Sequence, residues 1–176
     1  MPVRRSRRLV IDASVAGTSG EKNERGQRCR NFLNAVREIC HHVVMTSEIE
    51  AEWKRHSHLF ARQWQRSMTA RRKVRFVNLA VDDELRDKIG RSAARTRDRE
   101  AMLKDALLIE AAMETDHTVI SLDETARGLF GKAARSVGEL RGIVWVNPEE
   151  VDEYPIPWLE DGAKSEKGRR LRSGSK

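Results

Sequence analysis

A chain of 176 residues has the length of one domain with room for a proper core, and 39% hydrophobic against 35% charged side chains describe a soluble, rather polar globule. No run of about 18 apolar residues exists to span a bilayer, and Arg4, Arg5, Arg7 and Arg8 lead directly into residues 9–11, too short for the apolar core of a secretory signal. No membrane is expected as a partner, and the cytoplasm is the expected location. Cys29 and Cys40 lack CxxC spacing and any nearby zinc pattern, so they read as reduced packing thiols.

The net charge of +7 is unevenly placed. The first eight residues carry four arginines, and residues 163–176 carry six Lys or Arg against the single acid Glu166, leaving the body between them close to neutral. Both ends have the composition of flexible segments, so the basic total alone is weak evidence for a polyanion partner. Within the body, residues 53–81 contain Lys54, Arg55, Arg62, Arg66, Arg71, Arg72, Lys73 and Arg75 and no acid, which makes that stretch a candidate basic surface.

Short apolar, β-rich runs occur at residues 9–11, 43–45, 74–77, 119–120 and 143–146, separated by segments of helical periodicity. This alternation predicts an α/β fold with a parallel sheet of four to five strands, helices on both faces, and ligands beyond the carboxyl ends of the strands. After the loop Gly17-Thr18-Ser19-Gly20, helices are predicted at about residues 24–40, 48–71, 82–94 and 98–115, with a short one after Asp123. Pro148 ends the last strand region, Pro155 and Pro157 predict an extended segment, and disorder is expected from about Gly162. The expected organisation is a basic lead at residues 1–8, one domain at 9–161 and a basic disordered tail at 162–176. No internal repeat is present.

Four carboxylates stand out by position. Asp12 ends the first strand run, at the sheet edge where chemistry is usual in this architecture, although a turn aspartate bonding its own backbone has the same look. In Thr46-Ser47-Glu48-Ile49-Glu50-Ala51-Glu52, the Ser47/Glu50 spacing suits a capping box and Glu48 suits the helix dipole, which leaves Glu52 without a local role. Glu48, one turn earlier on the same face, is the fallback, and a solvated face would explain either. Asp105 falls within a stripe of Ala101, Met102, Leu108, Ile109 and Ala112, whereas Glu100, Lys104, Glu110 and Glu114 form the opposite, solvated face. A carboxylate facing the core needs a cation, either an arginine or a metal ion. Asp123 follows the fourth strand run and opens a helix, where Ser121/Glu124 also has capping-box spacing. Anions that converge raise one another's pKa unless a cation neutralises them, and Mg²⁺ or Mn²⁺ is the simplest such cation.

The ordered set Val10-Ile11-Asp12-Ala13-Ser14, Thr46 through Glu52-Trp53, Lys104-Asp105-Ala106-Leu107-Leu108 and Ile120-Ser121-Leu122-Asp123, closed by Val144-Trp145-Val146-Asn147-Pro148, resembles a PIN domain over about residues 8–150. The resemblance implies a three-layer sandwich in which Asp12, Glu52, Asp105 and Asp123 are catalytic and bind one or two Mg²⁺ or Mn²⁺ ions, with Ser14 and Ser121 as small polar neighbours. It implies an endoribonuclease, a hydrolase of phosphodiester bonds in single-stranded RNA, acting as the toxin of a toxin–antitoxin pair with an antitoxin protein as partner, or as an RNA-processing enzyme. A homodimer is a further implication. Lys54, Arg55, Arg62, Arg66, Arg71 and Arg72 would then guide RNA, with Trp53 or Trp64 stacking on a base or, as is commoner for tryptophan, packing in the core.

Other readings fit less well. A PIN-like module that binds RNA or protein without cutting is the main alternative, because a fold can outlive its catalysis. Gly17 to Lys22 lacks the P-loop arrangement, there is no GxSxG, and His41, His42, His56, His58 and His117 show no partner spacing, which makes them surface or packing histidines.

Overall fold

The computed structural model describes residues 5–56 and 58–172. Five short apolar runs form strands β1 (Arg8–Ile11), β2 (His42–Met45), β3 (Val74–Phe76), β4 (Thr118–Ile120) and β5 (Val144–Val146). They make one sheet in the order β3-β2-β1-β4-β5, parallel throughout, with Leu9 beside Val43 and Val10 beside Val119. Residues 9–11, 43–45 and 144–146 are fully buried, as continuous apolar strands covered on both faces must be.

Among the described residues seven α-helices connect them, α1 (Ala13–Thr18), α2 (Glu24–Glu38), α3 (Ser47–His56), α4 (Leu59–Ala70), α5 (Asp83–Ser92), α6 (Thr96–Met113) and α7 (Glu124–Ala133), and α8 (Pro155–Glu160) follows β5. Helix α1 packs on α2 and α3, and α2 on α4 and α8, whereas α5, α6 and α7 pack on one another. Right-handed crossovers account for this division, because the chain moves from β1 through β2 to β3 in one direction and through β4 to β5 in the other. The fold is the expected α/β three-layer sandwich around a central parallel sheet.

Four local expectations change. The chain enters α1 directly after Asp12, because Ala13, Val15 and Ala16 bury themselves there. The single helix expected at residues 48–71 is two helices, with His58 in extended backbone as the N-cap of α4; Ser57 lies outside the described residues. Pro155 and Pro157 open α8 instead of an extended segment, since first-turn positions need no N–H and the turn buries Trp158 and Leu159.

The tail expected to be disordered from Gly162 packs along the edge of β5 as far as Arg172. Val144 bridges Arg170, Leu171 N–H donates to the Ile143 carbonyl at 2.8 Å, and the Arg169 guanidinium lies 5.3 Å from the Trp158 ring centre. The β5 edge offers unpaired backbone groups, and Leu171, only 4% exposed, supplies an apolar anchor inside a basic run. Gly131 makes room for it, because a Cβ there would stand 2.7 Å from the Arg172 carbonyl oxygen. Residues 1–4 of the basic lead and 173–176 of the tail lie outside the described residues. Leu171→Ala is expected to cost about 2–3 kcal/mol of unfolding free energy, measurable by urea denaturation. A change below about 0.5 kcal/mol would mean that the tail does not pack in solution.

Candidate metal centre

The sheet order reverses between β1 and β4, so a crevice opens beyond their carboxyl ends. Asp12 leaves β1 there, and its main-chain N–H donates to the Ile120 carbonyl at 2.8 Å, locking it beside β4. Its carboxylate makes no cap bond to α1. Instead Oδ2 accepts hydroxyl hydrogen bonds from Ser14 at 2.7 Å and Ser121 at 3.0 Å. Those hydroxyl oxygens in turn accept main-chain N–H bonds from Leu122 at 3.3 Å and Asp123 at 3.1 Å, so their protons are committed to Asp12.

Asp123 is itself the N-cap of α7. Its Oδ1 accepts from Ala126 N–H at 2.8 Å, and Oδ2 has no protein partner among the described residues. The Ser121/Glu124 capping box is therefore not formed; Glu124 accepts from Asn147 Nδ2 at 2.9 Å. The Ser47/Glu50 box is displaced in the same way. Thr46 Oγ1 caps α3 by accepting from Ile49 N–H at 3.1 Å, one residue earlier than the spacing suggested.

Between the two alternatives on α3, the geometry separates Glu52 from Glu48. Glu52 is half-buried and lines the same cleft as Asp12, Asp105 and Asp123, while Glu48 is exposed and does not line it. Glu52 pairs with Arg55 at 2.8 Å and faces His56 Nε2 at 3.7 Å.

Asp105 carries the strongest electrostatic signature. Burial, followed by the negative charges of Asp12 and Asp123, pushes its carboxyl up to about 6 from 3.8; Lys104 opposes the rise and Glu52 adds to it. No ion pair or hydrogen bond meets this carboxylate among the described residues, so the arginine salt bridge considered for it does not form. The local arginine, Arg86 on α5, pairs with Glu110 instead. Glu110, expected on a solvated face, is only 6% exposed because α5 covers that side of α6, and Ala101, expected to be in the apolar stripe, is exposed.

The cleft encloses about 480 Å³, and Thr18, Glu21, Lys104, His56 and His58 also line it. The two histidines were expected at the surface or in packing. Both are exposed, as a surface reading expects, and they stand at the rim of the cleft around the break between α3 and α4, with the His58 ring against Gly20, where a Cβ would stand 2.2 Å from it. His41 is a packing histidine as expected: Nδ1 accepts from Arg7 N–H at 3.1 Å and Nε2 donates to the Leu159 carbonyl at 2.7 Å.

The donor chemistry suits a hard divalent cation, which takes carboxylate oxygens and retains several waters. Among the described residues, however, no three His, Cys, Asp or Glu side chains are gathered tightly enough to hold an ion as they lie. The acids form an open ring in which Asp12 is engaged by two hydroxyls, Glu52 by Arg55 and one oxygen of Asp123 by a helix cap. Side-chain rotations would be needed to bring them onto one ion.

The basic residues are spread over three places. Lys54 and Arg55 lie on α3 near the cleft, Arg62 and Arg66 are exposed along α4, and Arg71 and Arg72 lie just before β3, at the amino ends of the strands. Helix α4, about 18 Å long at 1.5 Å per residue, separates the first of these from the last. Trp53 and Trp64 are core residues and not base-stacking platforms: both are buried and stacked at 5.6 Å, and their Nε1–H groups donate to the Ile11 and Leu33 carbonyls.

No protein-family model matches the sequence, and no curated protein matches it.

Because the folded state binds the Asp105 proton more tightly than the unfolded chain, this carboxyl favours folding most below pH about 4, and that contribution is lost as pH rises through about 6. In EDTA, Asp105→Asn is expected to raise Tm by about 3 °C at pH 8 and to leave it near wild type at pH 4. Thermal melts across this range check the sign. An Asn variant less stable than wild type at pH 8 would mean that the carboxylate has a compensating partner.

Proposed function

We propose that the protein is a divalent-metal-dependent endoribonuclease of the PIN-domain type, hydrolysing phosphodiester bonds of single-stranded RNA. The observation that carries this reading is the convergence of Asp12, Glu52, Asp105 and Asp123 on one cleft at the reversal of the sheet order, with Ser14 and Ser121 both bonded to Asp12. Such a cleft repels a phosphodiester unless it carries a cation, so the acids and an anionic substrate make chemical sense together only through a metal ion.

Mg²⁺ or Mn²⁺ held by these four carboxylates would supply the positive charge that offsets the phosphate oxygens and lowers the pKa of an attacking water. The chain's own residues set up that chemistry. Ser14 and Ser121 fix one Asp12 oxygen, which orients the other. Asp123 is held by its cap bond on one side and presents its second oxygen. Asp105, raised by burial and by the charges of Asp12 and Asp123, would be relieved by a cation. Lys104, in the cleft lining, would supply positive charge for the RNA backbone.

The experiment is cleavage of a labelled single-stranded RNA in Mg²⁺, in Mn²⁺ and in EDTA. Asp12→Asn and Glu52→Gln are each expected to lower the rate by about 100-fold or more, and Glu48→Gln to leave it within about twofold. Cutting that survives EDTA or Asp12→Asn would refute the metal mechanism. Binding without cutting would favour the non-catalytic module, a reading to which the Arg55–Glu52 pair lends some support.

A further inference from the structure

At the amino ends of β1, β2 and β3, on the opposite side of the sheet from the acids, lies a second concavity of about 530 Å³. Its lining is Ser6, Arg8, His42, Arg72, Val74, Arg75 and Asp116. The parallel register brings three of these together, because Arg8 pairs with His42 and Val44 pairs with Arg75. Side chains two apart on a strand share a face, so Arg8, His42 and Arg75 project from one face of the sheet.

The only acid lining the groove among the described residues is already committed. Asp116 accepts from Arg8 three times, from the main-chain N–H at 2.7 Å, from Nε at 3.1 Å and from Nη2 at 3.0 Å, which fixes that guanidinium at the groove wall. Arg72 and Arg75 are exposed and, among the described residues, have no carboxylate or carbonyl partner for their side chains. Arg72 occupies left-handed backbone with φ 57° at the end of α4, a place that glycine fills with less strain. An arginine kept there is a charge placed at a conformational cost. Arg5, the residue before Ser6, is exposed and adds a further positive charge beside it.

We infer that this groove binds the phosphodiester backbone of single-stranded RNA, at a site separate from the acid cleft. Paired arginine forks match phosphate oxygens, and Val74 is the only apolar side chain in the lining, too little to hold the side chains of an acidic peptide. The inference rests on RNA being the substrate, and it gives the distal part of the basic sequence a place: an anchor that holds the strand while the cleft acts elsewhere on it.

The test is fluorescence anisotropy of a labelled single-stranded RNA, with salt titration, on the Asp12→Asn protein in EDTA, so that cleavage does not enter. Adding Arg72→Gln with Arg75→Gln is expected to weaken binding about 10-fold and to reduce the slope of log K against log[salt] by about 1.4, the value for two phosphate contacts on a single strand. The matched control is Lys132→Gln with Arg135→Gln, an exposed pair beyond the groove, expected to change affinity less than twofold. Circular dichroism melts establish that both double variants fold, and Arg72→Lys with Arg75→Lys should restore most of the salt slope. Equal losses in groove and control variants, or unchanged affinity in the groove variant, would overturn the assignment while leaving the nuclease reading intact. Poly-glutamate binding lost with the same two substitutions, with RNA binding kept, would assign the groove to an acidic polypeptide and also overturn it. RNA bound by none of the proteins would instead refute RNA as the substrate class.

Discussion

The main-chain N–H of Asp12 donates to the carbonyl of Ile120, and the placement of the acids in the cleft depends on that pairing of β1 with β4. Strand β1 has β2 on one side and β4 on the other, so the chain leaves it in one direction and returns on the opposite side. The crevice this creates cannot be closed by a crossover helix, and the two strand ends deliver Asp12 and Asp123 to it. Helix α6, packed against β1 and β4, brings Asp105 to the same place, and α3 brings Glu52.

Four anions gathered in this way oppose folding, and the protein relieves most of the strain locally. Two serine hydroxyls share the Asp12 charge, the α7 N-terminus takes one oxygen of Asp123, and Arg55 takes Glu52. Asp105 has no such partner among the described residues, and its carboxyl is raised first by burial and then by the charges of Asp12 and Asp123. A structural ion-pair network would have placed an arginine there, and Arg86 is near enough in the chain to have served; it is spent on Glu110. The uncompensated carboxylate is therefore a feature of the cleft's chemistry more than of the fold's stability. At the other end of the sheet the balance is reversed, with Arg72 and Arg75 uncompensated and Asp116 used up by Arg8.

The strands and the order of the acids were legible in the sequence because both depend on local patterns: buried parallel strands are continuous apolar runs, and acids at strand ends follow those runs directly. Asp105 was visible through helical periodicity, even though its neighbours Ala101 and Glu110 were placed on the wrong faces; which side of α6 is covered depends on where α5 docks, a tertiary fact. Capping residues slipped by one or two positions because Thr46 and Asp123 compete with Ser47 and Ser121 as caps, and spacing alone does not choose between them. The tail was misread since its composition is that of a disordered segment, while its order comes from a single leucine and an open strand edge. Arg72 and Arg75 stood out in the basic stretch, but their grouping with Arg8 and His42, like that of His56 and His58 with the acids, left no sequence signal because each site is assembled from segments far apart in the chain.

The central claim, that the four carboxylates form one cation site, is tested most directly by anomalous diffraction from crystals soaked in Mn²⁺. The account predicts a peak in the cleft within about 2.0–2.6 Å of carboxylate oxygens from Asp12 and Asp105, with Asp123 and Glu52 turned toward it directly or through water. A peak elsewhere, or a cleft in which these carboxylates keep their hydroxyl and arginine partners at saturating Mn²⁺, would contradict it.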